Sequence, residues 1–187
     1  FQGMADGDYL LSAEYASDAG EKFVSEPKRI TVKDADVSGI ELIVKPLASV
    51  AGVVLLEKST AAECKEQRSV LFEESLVSLE RNKKQVSKQE AGKKQQLELP
   101  YYDSPRVSPD SAGRFQLRNL ADGQYEFNIW TIGKNWYLRS VRLPGPKDAP
   151  ANDLARNLLT LKSGDRVTGL KVVITEGAAS ISGQVEL

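Results

Sequence analysis

Five aromatic residues carry the strongest chemical signal in this sequence: Tyr101 and Tyr102 side by side, then Trp130, Trp136 and Tyr137 within one short stretch. Flat exposed rings can lie against the faces of sugar rings, so this set is a candidate binding platform for a polysaccharide. The same residue types are also large core fillers. Period-two alternation separates the two roles at one position. Tyr125, Phe127 and Ile129 set an inward phase, which places Trp130 on the opposite, outward face.

Other reactive groups point to less. Asp103, Asp110, Asp148, Asp153 and Asp165 fall in loop-like stretches where carboxylates can ligate calcium. No spaced D-x-D-x-D-G loop accompanies them, so turn capping is the expected use. The segment 81–96, RNKKQVSKQEAGKKQQ, holds five lysines and one arginine against one glutamate. It lacks interleaved aromatics that would stack on bases and reads as a solvated connection. Cys64 is the only cysteine, so no internal disulfide forms; its setting, AAECKEQ, predicts a polar loop with an idle thiol. Histidine is absent, which removes Ser-His-Asp and Cys-His catalysis and His-containing zinc sites. No catalytic residue, metal ligand or cofactor is therefore assigned. With 25 basic and 26 acidic residues and a net charge of -1, nothing draws the chain to nucleic acid. No apolar run approaches the roughly 20 residues of a membrane-spanning helix.

The elements that must position these groups are written twice. MADGDYLL (4–11) returns as LADGQYEF (120–127), and DVSGIELIVKPLASVAGVVLLE (36–57) returns as RVTGLKVVITEGAASISGQVEL (166–187). The spacing between copies grows from 116 (Gly7 to Gly123) to 130 (Gly39 to Gly169). An insertion in the second copy, around 144–157, accounts for the growth, and insertions of that kind belong in loops.

Periodicity gives the element type. Tyr9, Leu11, Ala13 and Tyr15 alternate with Asp8, Leu10, Ser12 and Glu14, and the same period of two runs through Ile40, Leu42 and Val44 and through Leu170, Val172 and Ile174. Such segments, short and rich in Val, Ile, Tyr and Phe, predict half-buried strands. The Ala-Asp-Gly segment before Tyr125 predicts a hairpin turn between 113–120 and 125–130, with Gly123 supplying a positive φ. One helical turn is expected within 149–159. The fold class is all-β: an antiparallel sandwich of tandem modules.

The run Gly113, Phe115, Leu117, Asn119, Leu120, Gly123, Tyr125, together with SVAGVVLLE, LVSLERN, WYLRSVRL and GLKVVI, resembles the carboxypeptidase regulatory-like, transthyretin-like (prealbumin-like) β-sandwich modules. These are Ig-like in form and related to collagen-adhesin B-type repeats. FQG ahead of Met4 reads as a tag remnant at 1–3. The resemblance implies the C-terminal half of a preceding module at 4–48 and a complete module at 49–176. It makes 177–187 the first strand of a following module, or a strand completing the partial one. It implies a non-catalytic structural or interaction module of a secreted or cell-envelope protein, or alternatively a carbohydrate-binding module using Tyr101, Tyr102, Trp130, Trp136 or Tyr137. The implied partners are neighbouring modules, a polysaccharide or protein ligand, and a strand-swapped second copy. Collagen-adhesin repeats carry a Lys–Asn cross-link, but SVAGVVLL has no lysine and GLKVVITEG no Asn or Asp, so none is expected here.

Overall fold

A computed structural model describes residues 3–59, 64, 70–82, 105–133, 135–144, 153–179 and 183–184. The described residues are all-β apart from 3-10 backbone, at Cys64 and in a short turn at Phe72–Glu74. Among the described residues no helix is long and apolar enough to cross a membrane.

Residues 48–176 form two four-stranded sheets. One has the order β11-β13-β6-β9, from β6 (Ala48–Glu57), β9 (Arg114–Leu120), β11 (Trp136–Arg142) and β13 (Arg166–Glu176). The other has the order β12-β10-β7-β8, from β7 (Leu76–Arg81), β8 (Arg106–Val107), β10 (Gly123–Trp130) and β12 (Leu159–Leu161). Pairs are antiparallel except β6 with β13, which run parallel. Alternate residues of both sheets meet in one core: Val50, Val54, Leu117, Leu170, Val172 and Ile174 from the first, Val77, Leu79, Tyr125, Phe127 and Leu161 from the second. Each side chain buried this way contributes about 1.5–3 kcal/mol, which is why alternation translates into a sandwich. The rings of Phe115 and Phe127, 6.2 Å apart, face each other across that core.

This placement corrects the expected hairpin. β9 and β10 do not pair; they lie in different sheets, and Ala121–Asp122 arches between them. Asn119 takes a left-handed φ of 60°, at the point where the β6–β9 register slips between Ala48 and Val50. That bulge and Gly123 (φ 152°) turn the chain out of one sheet and into the other. The Tyr125 hydroxyl then donates to the carbonyl of Ala121 at 2.8 Å and pins the arch, the geometry known in β-sandwiches as a tyrosine corner. Tyr9 makes the same bond to Ala5 at 2.7 Å.

Residues 4–48 form two small sheets: β1 (Gly7–Leu11) with β4 (Lys28–Val32), and β2 (Glu14–Ala16), β3 (Lys22–Ser25) and β5 (Val44–Pro46) in the order β2-β3-β5. Their registers coincide with those of the larger body. Gly7, Asp8 and Tyr9 pair with Val32, Thr31 and Ile30, as Gly123, Gln124 and Tyr125 pair with Leu161, Thr160 and Leu159. Phe23, Val24 and Ser25 pair with Pro46, Lys45 and Val44, as Trp136, Tyr137 and Leu138 pair with Glu176, Thr175 and Ile174.

Two expected strands come out shorter. The run 8–15 breaks at Ser12–Ala13, and its second half crosses to β3, where Ala13 is held through both the backbone and the hydroxyl of Ser25. In β10 the matching stretch stays straight because β7 pairs with it. Of the expected strand at 40–44 only Val44 is extended and paired, whereas β13 runs eleven residues between β11 and β6. Strand length follows the neighbours, since an unpaired edge has no ladder to hold it.

Candidate functional site

The alternation along β10 that buries Tyr125 and Phe127 turns Trp130 out of the sandwich, and its side chain is 62% exposed at the edge of the pair with Leu76. Ile132 follows, also exposed. Trp136 goes the other way. It is buried in the core beside Gly133, where an added Cβ would stand 2.5 Å from its indole, and so belongs to packing and not to a binding face. Tyr137, next in sequence, is 45% exposed on the outer face of the other sheet. Trp130 and Tyr137 therefore do not form one platform. Tyr101 and Tyr102 lie outside the described residues.

Around Tyr137 the sheet assembles polar groups that sequence reasoning did not find. Thr175 is its partner on β13, and Glu57 is the partner of Thr175 on β6. The Thr175 hydroxyl donates to Glu57 Oε2 at 3.1 Å, and the Arg139 guanidinium forms an ion pair with the same carboxylate. Arg139 occupies a bulge between Leu138 and Ser140, which keeps it on the exposed side. One ring, one hydroxyl and a fixed Arg–Glu pair thus share an outer face, donors and acceptors suited to a polyhydroxylated ligand. Glu57 and Thr175 are 118 residues apart, and only strand pairing reveals their juxtaposition. The sole local hint was the spacing of Tyr137 and Arg139.

The loop carboxylates cap turns. Asp110 Oδ1 accepts the amides of Ala112 and Arg114, each at 2.9 Å, and Oδ2 pairs with the Arg114 guanidinium at 2.8 Å. The Arg114 amide foremost, with its guanidinium and the Ala112 amide, holds the Asp110 carboxyl below its ordinary range. Asp153 accepts from Val141 and Ala155, and Asp165 from Lys162. Asp153 also opens the single turn expected near it, with Arg156 N donating to its carbonyl at 3.0 Å. Asp103 and Asp148 lie outside the described residues. Among the described residues, His, Cys, Asp and Glu form no cluster of three or more able to hold a metal.

Of the basic segment 81–96 the structure describes Arg81 and Asn82, and the rest lies outside. Arg81 supports the arch, donating to the Asp122 carbonyl at 2.8 Å. Cys64 corrects the polar-loop expectation: it is buried, 8% exposed, and sits as a small hydrophobe. Polar sequence neighbours do not decide which way one small side chain points.

The tyrosine corner gives a first test. Tyr125→Phe should lower the stability of the sandwich by about 0.5–1.5 kcal/mol, because the half-buried Ala121 carbonyl loses the donor of a fully buried ring. Tyr9→Phe should cost less than about 0.5 kcal/mol, since the matching bond is exposed. Urea midpoints of the two variants decide it; equal losses would mean that burial does not set the value of this bond.

No protein-family model matches the chain, and no curated protein is significantly similar to it.

Proposed function

We propose that the chain is a non-catalytic structural or interaction segment built from tandem β-sandwich modules, prealbumin-like and Ig-like in form, within a secreted or cell-envelope protein. The observation that carries this reading is the coincidence of register. Two strand pairs in 4–48 use the same partners, residue for residue, as two pairs in 123–176, and each carries its own tyrosine corner. On this reading 4–48 is the second half of one module, 49–176 is a whole one, and 177–187, of which 180–182 and 185–187 lie outside the described residues, opens another.

A polar clamp supports end-to-end stacking of the two. Arg166 at the start of β13 donates to the Leu47 carbonyl at 2.7 Å and pairs with Glu21 at 2.8 Å, while the Ser163 hydroxyl donates to the Pro46 carbonyl. The test is to place a copy of 48–120 ahead of residue 4. Amide exchange should then slow at Tyr9, Ile30 and Leu42 by at least about a hundredfold, as expected when fraying strands gain a second sheet. Unchanged exchange would end the half-module reading. Turnover of ester, peptide or glycoside substrates by the purified chain would end the non-catalytic one.

Exposure of Trp130 favours a second reading, a carbohydrate-binding module. Trp130→Ala should leave stability within about 0.5 kcal/mol and abolish any fluorescence shift produced by polysaccharide. Tyr137→Ala, on the other sheet, separates the two faces. If the parent chain shows no shift at millimolar sugar, this reading falls.

A further inference from the structure

The outer face that bears Tyr137 continues past the row of Tyr137, Thr175 and Glu57. Strand pairing sets its outward residues in successive rows across the sheet β11-β13-β6-β9. In the next row the half-buried Val173 stands beside Leu55, which is exposed. In the row after that, Arg142 pairs with Lys171, Lys171 with Val53, and Val53 with Arg114. Three exposed cations thus cross the sheet in one line, interrupted only by a valine.

Their neighbours do not neutralise them all. Arg139 is held by Glu57 and Arg114 by Asp110, but Arg142 and Lys171 form no ion pair among the described residues. Asp153 bridges to Arg142 through the backbone, yet its Oδ1 accepts from the amides of Val141 and Ala155. Arg142 and Lys171 are direct partners in an antiparallel ladder, and like charges set opposite each other weaken a sheet. The fold gains nothing from that pair, whereas an anion laid across it would be held from both sides.

We propose that this face binds an acidic polysaccharide in which uronates alternate with neutral sugars, its chain running along β13 from the Tyr137 row to the row of Arg142 and Lys171. Thr175 and Lys171 are four residues apart on β13, about 13 Å at 3.3 Å per residue, the length of a short run of pyranose rings. The inference rests on the carbohydrate-binding reading and moves its site from Trp130 to the other sheet.

Each row matches one part of such a chain. The exposed Tyr137 ring offers a flat face to a neutral sugar, with the Thr175 hydroxyl and the Arg139–Glu57 pair beside it for sugar hydroxyls. Val173 and Leu55 meet the C–H face of the next ring. Arg142 and Lys171 take a uronate carboxylate through charge-assisted hydrogen bonds. The Glu57 carboxylate accepts from hydroxyls and repels a further anion, which sets this ligand apart from a nucleic acid or an anionic membrane, charged at every unit.

Isothermal titration of the full chain with hyaluronate and with unsulfated chondroitin should show binding that weakens at least about tenfold between about 0.05 M and about 0.5 M NaCl. Lys171→Glu should weaken it at least about thirtyfold at the lower salt. Its urea midpoint should stay level or rise, because the change turns a like-charge pair into an ion pair with Arg142. Tyr137→Ala should weaken binding at least about fivefold at both salt concentrations, since ring contact is not screened. Trp130→Ala should leave it unchanged. Binding that survives Lys171→Glu, or tighter binding of polyuridylate or of phosphatidylglycerol vesicles, overturns the proposal. If neither uronate polymer binds at about 1 mM disaccharide while neutral dextran binds through Trp130, the uronate site alone falls; if no polysaccharide binds, the carbohydrate-binding reading falls with it.

Discussion

Leu170→Ala should cost about 2–5 kcal/mol, while Ile40→Ala, at the corresponding place in the first copy, should cost about 1 kcal/mol or less. The contrast comes from what lies opposite. Tyr125, Leu159, Leu161, Leu170, Val172 and Ile174 are all at most 5% exposed. Tyr9, Ile30, Val32, Ile40 and Leu42 are only half-buried, and Val44 is 37% exposed. These six pairs share pairing or sequence position and differ in cover. Truncating Leu170 opens a cavity in a packed core; truncating Ile40 removes carbons from the wall of a groove already open to solvent. Trp136, buried in that core, is the fluorescent reporter for urea unfolding, and neither tryptophan lies in 4–48. Equal losses at the two positions would mean that the two bodies share one core and that the copies are not separate units.

The same comparison shows what a linear reading of this chain reaches. Alternation placed Tyr125 and Phe127 inward and Trp130 outward, because period two is a property of one strand and needs no partner. It failed where the answer depends on a neighbour. β9 and β10 alternate as the arms of a hairpin would, and nothing in that pattern tells beside from across. The bond from Tyr125 to Ala121 and the left-handed Asn119 are what make the Ala-Asp-Gly segment an arch between sheets. Residues 36–43 have the composition of a strand, and their matching stretch in β13 becomes one only with β6 alongside. The polar row beside Tyr137 was hidden for the same reason, since Glu57 and Thr175 meet through a parallel pairing across the length of the module.

Gly52→Val should be the most damaging single change in β6, costing about 3 kcal/mol or more. Its φ is not left-handed, so valine meets no backbone obstacle there and would gain in strand propensity. The loss is therefore steric. The first added carbon would lie 2.3 Å from the Leu170 oxygen and 2.7 Å from its Cβ. β6 cannot retreat, because Gly52 is also paired with Phe115 of β9 on its other side. The alternatives are to part β6 from β13, losing ladder bonds between the two longest strands, or to push Leu170 out of the core. Ala51→Val, one residue away and on the opposite face of the same strand, serves as the control and should change stability by no more than about 0.5 kcal/mol. Calorimetric or urea midpoints of the two variants settle the point: equal midpoints would show that β6 and β13 are not in close contact at Gly52.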